Sequence, residues 1–209
     1  MARRLTRAFF DRAPEELAPD LLNKLLVSTR DGEKLIARIV EVEAYCGSAD
    51  PASHAYRGKT ARNATMFGPP GHLYVYFTYG MHYCANVVAG SPVDDAGAVL
   101  LRAAAPVEGL ALMRTRRPAA RKDRGLLAGP ARLASAFALG RDDDGLDLVR
   151  GPLGLYDDGT APPVRPGRSL RIGLAAGKGE RARLRWFVTN DPHVSGPRSL
   201  SRRTPRNVT

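Results

Sequence analysis

GHLYVYFTYGMHYCAN, residues 71–86, is the stretch from which the architecture can be read. Its β-branched and aromatic residues favour strand, and Tyr79-Gly80-Met81 breaks them with a tight turn. Period-two geometry puts Tyr74, Tyr76 and Thr78 on one face of the first arm, and Val75, Phe77 and Tyr79 on the other. Val75 and Phe77 are expected in an apolar core. Tyr79, beside the turn glycine, is expected to protrude from the hairpin tip. In the returning arm Asn86 stands among Cys84, Ala85, Val87 and Val88. A buried amide left unpaired costs ~1–3 kcal/mol, so Asn86 either bonds neighbouring backbone or faces a ligand.

Upstream, LLVSTR-DG-EKLIARIVEVEAY, residues 25–45, reads as a second hairpin turned at Asp31-Gly32. Alternation through its longer arm places Leu35, Ala37, Ile39, Glu41, Glu43 and Tyr45 on one face. A face that turns from apolar to Glu-x-Glu-x-Tyr is expected to leave the core for a wet site or for solvent. A metal there would need further ligands. His54 is the one candidate nearby, so no metal is expected. Residues 47–71 form a long loop rich in Gly, Pro, Ser, Asn and Arg, of a kind that is often functional.

Downstream, residues 96–104 read as a buried strand holding one charge, Arg102, which needs a carboxylate or a phosphate as partner. Pro106 is expected to open a helix over VEGLALMRTRR with Glu108 in its first turn. A basic loop, residues 116–124, follows. Gly129-Pro130 then starts a helix, ARLASAFAL, stopped by Gly140. The free N–H groups at its start fit simple initiation or phosphate oxygens. Residues 141–168 read as loop with a short strand near 146–149, and RSLRIGLA and RLRWFVT as two last strands. The first thirty residues read as mostly helical, with Pro14 and Pro19 each near the start of a short segment. Strands mixed with helices, without βαβ alternation, give an α+β domain: a curved antiparallel sheet, surrounding helices and a protruding hairpin.

A chain of 209 residues suits one domain, here 1–209, whose basic tail over 197–209 is expected to be mobile. The net charge of +11, with pI near 10.2, points to a polyanionic partner, nucleic acid before a membrane surface. No run of 18 apolar residues and no secretory h-region exist, and two cysteines match no zinc spacing, so a reduced, cytoplasmic protein is expected. Aromatic faces stack on bases, and a wedge at a hairpin tip can fill the gap left by an extruded nucleotide. Carboxylates beside such a face suggest chemistry on a base taken out of DNA.

RIVEVEAY, HAYRGKTARNATMFGPPG and GHLYVYFTYGMHYCANVV resemble the alkyladenine (3-methyladenine) DNA glycosylase family, as do LLRAAAPVEGL, GPARLASAFAL and WFVTNDPHVSG. The similarity runs from about Leu21 to about Ser195 and departs at Ala61, where proline is common. It implies that Glu43 is the general base activating water, helped by Arg102 and by backbone near Val194. It further implies that Tyr45, His54 and Tyr76 line the pocket and sandwich the flipped base. Tyr79 would intercalate, Asn86 would oppose the amino group of undamaged guanine, and Arg62 and Asn63 would contact DNA. The implied partner is double-stranded DNA bearing alkylated or deaminated purines, met by a monomer without a cofactor. Lys59 sits out in the loop and no lysine falls in the expected site, so hydrolysis leaving an abasic site is expected. A glycosylase/lyase and a non-catalytic nucleic-acid-binding module are the alternatives.

Overall fold

The computed structural model describes residues 1–90, 96–179 and 181–197. The strands are β1 (Arg3–Arg4), β2 (Leu25–Ser28), β3 (Leu35–Cys46), β4 (Leu73–Thr78), β5 (His82–Ala89), β6 (Gly97–Glu108), β7 (Leu153–Asp157), β8 (Gly167–Ser169) and β9 (Arg185–Phe187). The helices are α1 (Arg7–Phe10), α2 (Pro14–Leu21), α3 (Leu110–Arg116), α4 (Arg124–Leu127) and α5 (Pro130–Ala136). The strands pair antiparallel in the order β1-β7-β2-β3-β6-β5-β4, with β9 joining β3 and β8 joining β9. The expected α+β architecture is therefore present.

β3 holds this sheet together. β6 lies along one of its edges from Ile36 to Cys46. The other edge is shared: β2 covers Leu35–Arg38 and β9 covers Glu41–Glu43. The change of partner coincides with register shifts in the β3–β6 ladder around Ile39, Glu41 and Val42. Such a bulge bends a strand and resets which side chains face which side.

Helices α2 and α5 pack on β3, β5 and β6. They bury Leu17, Leu21, Leu133 and Ala136 with Ile39, Val42, Val87, Val99 and Leu101 in the main apolar core. Two smaller clusters lie elsewhere: Ala55, Met66, Tyr74, Val88 and Ala98 beneath the long loop, and Val40, Ala103, Phe187 and Val194 beside β9. Among the described residues, no helix is long and apolar enough to cross a membrane.

Several boundaries differ from expectation. Pro19 lies inside α2 rather than starting a segment of its own, and only one N–H is forfeited in a helix already anchored by buried Leu17, Ala18 and Leu21. β6 continues through Pro106 to Glu108, and α3 begins only after Gly109, whose φ is 82°. Glu108 thus pairs with Lys34 across the strands instead of capping a helix. No strand forms at 146–149, where the chain makes turns and a single bridge from Asp147 to His72; the strand of this region is β7, which closes the β2 edge. Residues 170–175 leave the sheet after β8, because their backbone is used at the site described below. Phe77, expected in the core, is exposed against Tyr83 at the hairpin tip. The expected mobile tail lies, beyond Pro197, outside the described residues.

The hairpin β4–β5 turns as expected. Of the three residues between paired Thr78 and His82, Tyr79 at φ 51° and Gly80 at φ 66° both take the left-handed conformation that suits a hairpin's twist. Glycine adopts it freely, whereas tyrosine does so at a cost of ~1–2 kcal/mol. Tyr79 is nonetheless 81% exposed, so burial does not offset the strain. Tyr79→Asn should therefore stabilise the fold by ~0.5–1 kcal/mol, since asparagine tolerates this region. The melting temperature should rise by ~2 °C; a fall would mean that Tyr79 is held by packing after all.

Candidate active site

The bulge in β3 decides the character of the site. Leu35, Ala37 and Ile39 face the main core, but beyond the bulge Val42 and Ala44 take over that role. Glu41, Glu43 and Tyr45 therefore share a face opposite to Leu35, not the same face as strict alternation predicts. They do not reach solvent either: both glutamates are completely buried. Uninterrupted pleating would have driven two carboxylates into hydrocarbon. The bulge turns them instead towards β6 and β9, which bring two guanidiniums.

Arg102 forks across the pair. Its Nε donates to Glu41 Oε1 at 2.9 Å and its Nη1 to Glu43 Oε2 at 3.1 Å. Arg185 Nε donates to Glu41 Oε1 at 2.6 Å. Ser195 completes Glu41, donating its N–H to Oε2 at 2.6 Å and its hydroxyl to Oε1 at 2.9 Å. Glu43 receives the Tyr45 hydroxyl on Oε2 at 3.0 Å and the Ile172 N–H on Oε1 at 2.8 Å. Two carboxylates against two guanidiniums leave the cluster neutral, as burial demands. A carboxylate offers about four lone-pair positions, so three donors leave Glu43 room for one more proton donor.

In front of Glu43 lies a cavity of about 370 Å³. Its wall includes Tyr45, Arg102 and Ile172, the three groups that bond Glu43, together with His54, Tyr74, Tyr76 and Asn86. Tyr74 and Tyr76 stack at 5.6 Å, and His54 sets its ring edge against Tyr76 at 4.5 Å while bonding the Tyr74 hydroxyl at 2.9 Å. Behind Tyr45 the buried Arg171 guanidinium sits 4.7 Å from the ring centroid. Asp50 grips that guanidinium in a bidentate pair at 2.5 and 2.8 Å, and the Ala44 carbonyl accepts from it at 2.9 Å. The Tyr45 ring is thus held on one side by a cation whose charge Asp50 cancels.

Burial sets the ionisation of this wall. It pushes the Tyr45 and Tyr76 phenols far up, and the Tyr74 phenol up to about 12, so all three stay neutral. Burial, with Arg62 nearby, lowers His54, which keeps it neutral at neutral pH. Burial also raises the Glu43 carboxyl, outweighing Arg102, the Ile172 N–H and the Tyr45 hydroxyl. A carboxylate raised in this way is a better proton acceptor.

Residues 8–192 match the methylpurine-DNA glycosylase family. The chain belongs to that family. It is 53% identical over 195 residues to a protein of Burkholderia lata provisionally named 3-methyladenine DNA glycosylase, covering 92% of this chain and 91% of that one. Relatives with the same provisional name in Streptomyces avermitilis and Carboxydothermus hydrogenoformans are 50% and 47% identical. These cover 97% and 91% of this chain, and 94% and 98% of their own lengths. The cavity, the buried carboxylates and the aromatic hairpin therefore belong to a DNA glycosylase of the methylpurine family.

The site residues expected from the sequence divide clearly. Tyr45, His54, Tyr76, Asn86 and Arg102 come together around the cavity, with Tyr79 at its mouth and Glu43 one layer behind. Asn86 donates from Nδ2 to the Tyr74 carbonyl at 3.2 Å, the bond to neighbouring backbone that was one of its two readings, and it also lines the cavity. Arg62 is exposed and donates to the Phe77 carbonyl at 3.2 Å, bracing the hairpin. Asn63 does not fit the DNA-contact role. It is 3% exposed, and its amide is spent inside the loop on the His54 and Gly58 carbonyls and on Thr60. Among the described residues no group of three metal-ligating side chains occurs. Asp50, Arg171, Arg185 and Ser195 escaped the sequence reading. The signal that marked Arg102, a charge inside an apolar strand segment, was blurred in RSLRIGLA and RLRWFVT, where Arg171 and Arg185 each stand near a second arginine.

Because the folded state holds the Glu43 proton more tightly than the unfolded chain, Glu43 favours folding below the ordinary carboxylate pKa. That contribution is lost as pH rises through the elevated one. The wild type should thus lose stability relative to Glu43→Gln as pH rises from about 4 to neutrality. Thermal melts at several pH values check this, and a constant difference would show that the carboxyl is not raised.

Proposed function

We propose that this chain excises alkylated purines from double-stranded DNA by simple hydrolysis, leaving an abasic site, and that it works as a monomer on damaged duplex. The observation that carries this reading is the placement of Glu43, a carboxyl raised by burial, immediately behind the wall of a cavity built from tyrosines.

Hydrolysis of an N-glycosidic bond needs a water aimed at C1′ and a base to accept its proton. Glu43 Oε1, with one donor on it, is the acceptor, and such assistance is worth ~10²–10⁴ in rate. Arg102 bonds Glu43 and also lines the cavity, so it orients that water from the substrate side. An alkylated purine carries positive charge in its ring and leaves readily. It gains attraction between the faces of Tyr45 and Tyr76, whose phenols stay neutral. Paired normal bases lack this charge and cost more to extract. Tyr79 fills the gap in the stack, braced by the hairpin that Arg62 supports. The chain's excess of positive charge, +11, gives sequence-independent affinity for the phosphates. Lys59 is exposed in the long loop, and the cavity wall among the described residues carries no lysine that could attack C1′.

Methylated genomic DNA, and duplexes carrying one hypoxanthine or one ethenoadenine, test the reaction. Alkali-dependent breaks should appear with wild type. Glu43→Gln should lower base release by ~10²–10⁴ while binding to damaged duplex persists. Borohydride should trap no covalent adduct; a trapped adduct would make the enzyme a lyase as well. Absence of release from every substrate would leave a DNA-binding module. Asn86→Ala, which removes an amide from the cavity wall, should raise release of undamaged guanine from ordinary duplex severalfold. Unchanged guanine release would confine Asn86 to its bond with the Tyr74 carbonyl.

A further inference from the structure

Glu41 is a fully buried carboxylate that touches neither the cavity nor any expected substrate atom. Its two oxygens nonetheless take four donors from three parts of the chain: Arg102 on β6, Arg185 on β9, and the backbone and hydroxyl of Ser195. Ser195 follows Val194, which is itself buried in the cluster with Val40 and Phe187. The Ser195 hydroxyl also accepts from Arg102 Nη2 at 3.4 Å. One carboxylate therefore ties the guanidinium that bonds Glu43 to the segment that borders it.

We propose that Glu41 is a positioning residue which sets both the aim of Arg102 and the basicity of Glu43, with Arg185 as its counter-cation. This rests on the reading of Glu43 as the general base.

The argument is one of charge and geometry. Arg102 is shared between two carboxylates on alternate positions of β3. With Glu41 present, the guanidinium charge is divided and its Nη1 alone reaches Glu43. Without that charge, Arg102 and the nearby Arg185 would face a single carboxylate. Glu43 would be held ionised to lower pH and would be a weaker base. The other groups around Glu43 do not supply this balance. Tyr45, Tyr76 and Cys84 are neutral there, and the Ile172 N–H is a fixed donor. Arg171 is already neutralised by Asp50. Arg185 has the complementary role: its pairing with Glu41 keeps the second carboxylate from adding its full repulsion to Glu43.

Two variants separate charge from position, assayed in the whole protein on methylated DNA and on a defined duplex. Glu41→Gln removes the charge but keeps the size. Its acid limb of kcat should move down by roughly one pH unit, with kcat at neutrality reduced ~10-fold or more and KM little changed. Glu41→Asp keeps the charge but shortens the reach. Its limb should stay in place while kcat falls ~10–100-fold, the penalty of a misplacement near 1 Å. Base flipping, read by 2-aminopurine fluorescence, should be unchanged in both. An unmoved limb in folded Glu41→Gln, or wild-type kcat in Glu41→Asp, would overturn the proposal. Should Glu41→Gln not fold, Glu41→Asp still decides through its split between kcat and KM. If wild type releases no base at all, the glycosylase reading fails; if wild type is active and both variants match it, only the role of Glu41 fails.

Discussion

Everything in this molecule is arranged around the burial of two carboxylates against two guanidiniums where β3, β6 and β9 meet. A buried ion pair repays its desolvation only if the geometry is tight and the remaining polar groups are satisfied. Glu41 and Glu43 meet that condition through Arg102, Arg185, Tyr45, Ser195 and the Ile172 N–H. The condition explains several irregularities of the fold. β3 bulges so that its glutamates avoid the apolar core. β9 is only three residues long, yet it brings Arg185 to Glu41. Residues 170–175 leave the sheet so that the Ile172 N–H can turn onto Glu43.

The cavity inherits its properties from this cluster. The guanidinium that Arg102 adds to its wall is balanced by the carboxylates behind it, and the rest of the wall presents neutral phenols and a neutral imidazole. Such a wall does not repel a cationic purine. The Asp50–Arg171 pair follows the same logic one step further out: a cation behind Tyr45 supports the ring, and its own carboxylate cancels the charge. At the opposite extreme stands Tyr79, exposed and in an unfavourable backbone conformation. Strain that packing does not offset is a common mark of a working residue.

While the cavity-lining residues came from the family resemblance, the two hairpins with their turns and the protruding tyrosine could be read from the chain. These depend on local rules: period-two alternation, positive-φ turn residues, and lone polar groups in apolar runs. Where such rules compete with tertiary demands they fell short. Pro106 looked like a helix start, but β3 needed a partner along its whole length. The family resemblance implied a DNA contact at Asn63, but its amide holds the loop that carries His54. Phe77 looked like core, but the hairpin extends past the body of the sheet.

The sequence by itself determined the composition of the site and the family to which the chain belongs. Residue types such as Glu-x-Glu-x-Tyr, the aromatic hairpin and the lone arginines are written in the chain and need no coordinates. Only the tertiary structure decided that both glutamates are buried, on the face opposite to Leu35, and shared by Arg102 and Arg185. One extra residue in a ladder reverses every side chain beyond it, and partners 59 to 154 residues apart in the chain meet only once the sheet has closed. No local pattern encodes that meeting, because the free energy that drives it belongs to the assembled cluster and to no single strand.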